Sequence, residues 1–189
     1  MKLTKLMVIA IIAGLVSSLF LPMMAQAKTS DDDALNQFYA QFTVAFERLD
    51  VEIIKTIYAE NACYIPEQQS KDITIGRDKI IALYNAFFSK IKNKNAHIEV
   101  DFRVIERQIS QNSATDIGYY MIRYHPPKET EEPVSEFAGK FVNVSKKKND
   151  GKWYLTVDTN NRAEPDFYYQ AKPTPNLYFG LHFSKTKHN

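Results

Sequence analysis

The sequence predicts an α+β domain, helices first and an antiparallel sheet after them, and three observations carry that prediction. Leu35, Phe38, Tyr39, Phe42, Phe46 and Leu49 recur at three- and four-residue steps, the period of an amphipathic helix. His97-Ile98-Glu99-Val100-Asp101-Phe102-Arg103-Val104 alternates strictly, as a strand with one wet face does. Lys146 to Gly151 is polar and ends in Asp-Gly, the chemistry of a hairpin turn between two further strands. Helices followed by a run of strands argue against an alternating, parallel α/β fold.

The elements follow in order. Any of Ser30 to Asp33 can cap the first helix and favour its positive end. Asp50 starts a second, shorter helix carrying Ile53, Ile54, Ile57 and Tyr58. A strand runs through Cys63 to Ile65 and ends at Pro66, and Glu67 to Thr74 is a polar loop. Gly76 supplies the turn before a third helix whose apolar face holds Ile80, Leu83, Tyr84, Phe87, Phe88 and Ile91, closed by Asn93-Lys94-Asn95. Strands are expected at His97–Val104, Ala114–Tyr124, Ser135–Ser145 and Trp153–Thr159. Between them His125 to Pro133 is too proline-rich for a strand interior.

Three regions are expected: 1–27, 28–163 and 164–189. The first begins with Lys2 and Lys5, continues in the apolar stretch Leu6 to Leu21 and ends in Ala25-Gln26-Ala27, the pattern of a secretory signal cleaved after Ala27. A retained anchor is the rival, although the stretch is slightly short of the roughly 18 residues of a spanning helix. Cleavage places the protein in the periplasm or outside the cell, with no stable membrane insertion afterwards. It leaves 22 basic against 22 acidic residues, a balance that speaks against nucleic-acid binding. Cys63 is the only cysteine, so an intramolecular disulfide is excluded. Region 164–189 is rich in aromatic residues, among them Phe167, Tyr168, Tyr169, Tyr178, Phe179 and Phe183. A disordered tail rarely carries so many; it is expected to pack over the domain or along a sheet edge, or else to close a pocket or reach a partner.

Two short runs, Tyr58-Ala59-Glu60-Asn61-Ala62-Cys63-Tyr64-Ile65-Pro66 and Gly76-Arg77-Asp78-Lys79-Ile80, together with Gly151-Lys152-Trp153, resemble the SnoaL-like/DUF4440 branch of the NTF2-like (ketosteroid isomerase-like) superfamily. The resemblance spans roughly residues 35–161. It implies a cystatin-like curved antiparallel sheet wrapped round three N-terminal helices, with a cone-shaped pocket between them. It implies no particular reaction, because the fold serves enzymes, binders and assembly modules alike.

Set against the ketosteroid isomerases, the chain departs from the pattern. The implied general base falls at Pro66, which cannot move a proton, and the implied oxyanion-hole tyrosine falls at Phe42, which has no hydroxyl. The second oxyanion donor falls at Asn143 and a supporting tyrosine is kept as Tyr84. That mechanism is therefore not expected. If the family layout holds, Phe42, Tyr84, Phe141, Asn143, Asp158 and Asn160 converge on one cavity, with Tyr64 and Tyr119 added by position alone. Asp158 is the candidate acid or base. On its strand, alternation puts Tyr154, Thr156, Asp158 and Asn160 on one face and Trp153, Leu155 and Val157 on the other. The second set is expected to be exposed and to pair two copies as a homodimer.

Other chemistry lacks its residues. The four histidines, His97, His125, His182 and His188, show no metal-ligand spacing, and no nucleotide or nucleophile-elbow fingerprint occurs, so neither metal nor cofactor is expected. An aromatic cavity with few convergent polar groups suits a small, largely apolar ligand. The alternatives are an isomerase-, lyase- or hydratase-type enzyme using Asp158 with Asn143 and Tyr84, or a ligand-free interaction module.

Overall fold

The computed structural model describes residues 30–68 and 70–184; the expected signal and its cleavage site lie outside them. The chain runs α1 (Asp31–Arg48), α2 (Val51–Ile57), β1 (Tyr58–Ile65), β2 (Thr74–Ile75), α3 (Arg77–Asn93), β3 (His97–Ser110), β4 (Ser113–His125), β5 (Ser135–Lys147), β6 (Trp153–Ala163) and α4 (Pro165–Gln170). Ser30 caps α1 by accepting from the Asp33 amide at 3.1 Å, and Asp50 caps α2 by accepting from Glu52 at 2.9 Å. Leu49 in the left-handed region ends α1. Gly76, at φ 101°, makes the turn into α3.

One six-stranded sheet, in the order β2-β1-β6-β5-β4-β3, curves round the helices. It is mixed, not wholly antiparallel as expected, because β1 pairs with β6 in parallel. Element order could not reveal this: the first strand docks beside the last. Phe42, Phe46, Ile54, Ile57, Phe88, Ile91 and Leu155 pack between α1–α3 and the concave face, burying apolar surface in one core.

Two bulges decide which side chains face inward. In β3 the register shifts between Val104 and Glu106, and the strand runs on to Ser110, past the expected end at Val104. In β6 the partners of Val144 and Ser145 are Val157 and Leu155, so Thr156 is the extra residue. A bulge turns the strand over by one residue. Trp153 and Leu155 therefore point inward along with Asp158 and Asn160, and simple alternation across 153–160 fails. At 4% and 1% exposure, Trp153 and Leu155 belong to the core and cannot form the expected dimer face. The Trp153 indole N–H is spent on Asp31 at 3.0 Å. Of the three, only Val157 lies on the convex face, level with Val144.

The C-terminal segment covers part of that convex face. Tyr168 and Phe183 pack with Met121 and Ala138 of β4 and β5. Tyr178 and Gly180 pair with the open edge of β3, the Tyr178 carbonyl accepting from Val104 at 2.9 Å and the Gly180 amide donating to Phe102 at 2.8 Å. Any side chain at Gly180 would collide with the Asp101 carboxylate. Arg103, buried beneath, donates to the carbonyls of Tyr168 (2.6 Å) and Phe183 (3.2 Å) and lies over the Tyr168 ring at 4.1 Å. Asp101 accepts from the Tyr168 hydroxyl at 3.2 Å and the His182 amide at 2.9 Å. The tail packs over the domain and along a sheet edge.

Candidate functional site

A polar row crosses the concave face of the otherwise apolar sheet. Register places Arg107 of β3 beside Asp116 of β4, Asp116 beside Asn143 of β5, Asn143 beside Asp158 of β6, and Asp158 beside Tyr64 of β1. The β3-side end is closed on itself. Arg107 grips Asp116 with two bonds of 2.6 and 2.8 Å, the bidentate geometry that suits a buried guanidinium and carboxylate, and reaches Asp32 at 3.1 Å. Tyr39 of α1 adds a hydroxyl donated to Asp116 at 2.8 Å.

The β1-side end opens into a cavity of about 570 Å³ between α1, α3 and the sheet. Asp158 stands there at 7% exposure, and among the described residues no cationic side chain forms an ion pair with it. Tyr58 donates a short hydrogen bond to its Oδ2, and the Tyr84 hydroxyl lies 3.3 Å from that of Tyr58. Since the Tyr58 proton is committed to Asp158, Tyr84 donates to Tyr58. Burial pushes the Asp158 carboxyl up to about 6, against the opposing pull of hydrogen bonds from Tyr58 and Asn160. Burial first, and then the charge of Asp158, raise Tyr58 and Tyr84 well above the ordinary phenol value. Asn143 is 8% exposed, and its Oδ1 has no hydrogen-bond partner. A buried acceptor left unmade costs about 1–3 kcal/mol.

The cavity brings together Phe42, Tyr64, Tyr84, Phe141, Asn143, Asp158 and Asn160, with Phe46, Phe102 and Tyr120 completing the aromatic wall. Tyr119 does not belong to it. Its ring faces outward and stacks on Phe167 at 6.1 Å, beside a second cavity of about 830 Å³ whose charged residues are the half-buried Glu67 and the exposed Glu136, Lys140, Arg162 and Glu164. The inward residue is Tyr120, and the alternation Asp116-Gly118-Tyr120-Ile122 marks it. Tyr58 was also hidden: helical spacing assigned it to the apolar face of α2, whereas it opens β1. Pro66 and Glu67 lie at the cavity's mouth with Lys71 and Asp72 of the β1–β2 loop. Among the described residues no group of three or more His, Cys, Asp or Glu side chains is arranged to hold a metal, and no helix is long and apolar enough to cross a membrane.

No family model matches the sequence, and no curated protein is similar enough to match it. Solved structures do match in shape. An NTF2-like protein with a cystatin-like fold from Novosphingobium aromaticivorans superposes with a TM-score of 0.57 at 12% identity, over 71% of this chain and 83% of the other. A ketosteroid isomerase-like protein from Erwinia carotovora gives 0.54 at 14% identity, over 70% and 95%. A domain with a cystatin-like fold from Nostoc punctiforme gives 0.55 at 20% identity, over 72% and 80%. At such identities the likeness concerns the backbone alone and does not reach the SnoaL-like/DUF4440 branch that the sequence motifs resemble. With its curved sheet, three enclosed helices and cone-shaped cavity, this chain has the NTF2-like fold.

Proposed function

We propose that this is an exported binding protein whose cavity takes up a small, largely apolar molecule. One observation carries the reading: aromatic rings wall a cavity large enough for a small organic ligand, with Asn143, Asp158 and Asn160 as the few polar groups on its sheet wall. A shape of that kind fixes the orientation of a guest by a few polar contacts and holds it by apolar burial. Native mass spectrometry of the protein purified from its own source tests the reading directly. A bound small molecule, lost in Phe42→Arg, is the expected result; a ligand-free mass in every preparation would count against it.

A second reading, an isomerase-, lyase- or hydratase-type enzyme, is favoured by one feature, a buried carboxyl poised at about 6 in the range suited to general acid–base work. If Asp158 is a catalytic base, Asp158→Asn lowers turnover roughly 10²–10⁴-fold while ligand binding survives.

Two further proposals travel with the first. The N-terminus of mature native material is expected at Lys28, which N-terminal sequencing checks. Two copies are expected to pair through the uncovered part of the convex face, now centred on Ile117 and Val142, 39% and 38% exposed, with Val157 between them and β1. Sedimentation velocity at micromolar concentration should give a dimer mass, reduced to a monomer in Val142→Lys.

A further inference from the structure

Resting on the proposal that the cavity binds a small molecule, we infer that its occupant is an organic ammonium. An apolar, ring-sized body lies against the aromatic walls, and a protonated amine is directed at Asp158 and the Asn143 carbonyl oxygen.

The inference comes from following the hydrogen bonds at the polar end. Tyr58 donates to Asp158, and Tyr84 to Tyr58. Tyr39 gives its own proton to Asp116, and Asn143 Oδ1 meets no donor among the described residues. The Asn160 amide serves Asp158 and Tyr64. The Tyr64 hydroxyl and the Asn143 N–H groups are not placed by this network, and Tyr120 is turned to Glu67. Beside the carboxylate itself what remains free is acceptor: Asn143 Oδ1 and the unused lone pairs of Asp158.

Charge points the same way. Three carboxylates, Glu67, Asp72 and Asp158, line the cavity against one ammonium, Lys71, in the mouth loop. Arg162 compensates Glu67 at the mouth and Arg107 is engaged on Asp116, so neither guanidinium is paired with Asp158. A guest carrying a carbonyl or carboxylate would set acceptor against acceptor in a desolvated site. An alcohol would supply one proton but leave the buried carboxylate uncompensated. An ammonium supplies several donors and the missing charge together, and the faces of Phe42, Tyr84 and Phe141 attract a cation as well. Phe42, at the cavity wall, offers no hydroxyl to a guest that would need a donor.

Three probes of one shape test this by isothermal titration calorimetry at pH 7.5: 1-naphthylmethylamine, 1-naphthalenemethanol and 1-naphthoate. The amine should bind at least tenfold tighter than the alcohol, with the carboxylate weakest. Asp158→Asn should bring amine and alcohol within about threefold of each other. Should that variant not fold, the wild-type protein decides alone. At pH 5 a carboxyl of pKa about 6 is roughly nine-tenths protonated, so the amine's advantage should drop about tenfold while alcohol binding holds. The other ionisable groups facing Asp158 are Tyr58 and Tyr64 of β1, Tyr84 of α3, Tyr120 of β4 and Glu67 at the mouth, with Asp116 and its Arg107 beyond Asn143. The four tyrosines, all raised above the ordinary phenol value, keep their protons throughout. Equal or tighter binding of the alcohol or the carboxylate would overturn the inference and leave the binding proposal standing. An amine preference that persists in Asp158→Asn, or at pH 5, would overturn it too. Failure of all three probes to bind at millimolar concentration would overturn both.

Discussion

Asp116 and Asp158 occupy the same polar row, two strands apart, equally deep in the same sheet, and they have opposite characters. Asp116 holds a bidentate guanidinium and a tyrosine hydroxyl; its charge is matched and its lone pairs are filled. Asp158 has Tyr58 and Asn160 but, among the described residues, no paired cation, and it faces open space instead of a helix. Burial by itself therefore does not mark a site. A buried carboxylate with its partner in place is architecture, and one whose partner is missing, beside a cavity that could admit it, is where a ligand belongs.

The sharpest way to break this contrast is Arg107→Met. Removing the guanidinium leaves Asp116 charged and unpaired against Tyr39, and urea denaturation should show a loss of about 3–5 kcal/mol. A loss under 1 kcal/mol would make the two aspartates alike.

Asp158 should respond with the other sign. Its folded pKa of about 6 lies above the ordinary 3.8, so the folded protein holds a proton between these values that the unfolded chain releases. Stability is therefore lost as pH rises from about 4 through 6, by on the order of 3 kcal/mol. Asp158→Asn lacks that loss. It should be less stable than the wild type by about 1–2 kcal/mol at pH 4, where the neutral carboxyl fits its hydrogen bonds better. At pH 7.5 it should be more stable by a similar amount, and paired denaturation curves at the two pH values check the reversal.

The smallest effect is expected from Tyr84→Phe. It removes one hydrogen bond to Tyr58 and leaves the ring packing, so a loss of about 0.5–1.5 kcal/mol is expected, with the Asp158 titration little moved.

The same contrast explains what the sequence could and could not disclose. Helical spacing located α1, α2 and α3, and alternation located β3 to β6, because apolar periodicity is a local signal. The cavity wall followed from the family's layout, and Phe42, Tyr84, Phe141, Asn143, Asp158 and Asn160 do lie together. The errors come from single-residue events that periodicity does not register. The extra residue at Thr156 turned Trp153 and Leu155 from a supposed outer face into the core. A one-residue offset chose Tyr119 over Tyr120. Tyr58 was assigned to a helix because the step from α2 to β1 occurs without a loop. The difference between Asp116 and Asp158 was also out of reach, since Arg107 meets Asp116 only through cross-strand register.

The claim that Asp158 is an uncompensated buried carboxylate has one most direct test, the pH titration of its side-chain ¹³C resonance by NMR, assigned with Asp158→Asn. The account predicts a midpoint near 6 in the free protein and a shift toward lower pH when 1-naphthylmethylamine fills the cavity. A midpoint near the ordinary carboxylate value of 3.8 in the free protein, unmoved by the amine, would contradict it.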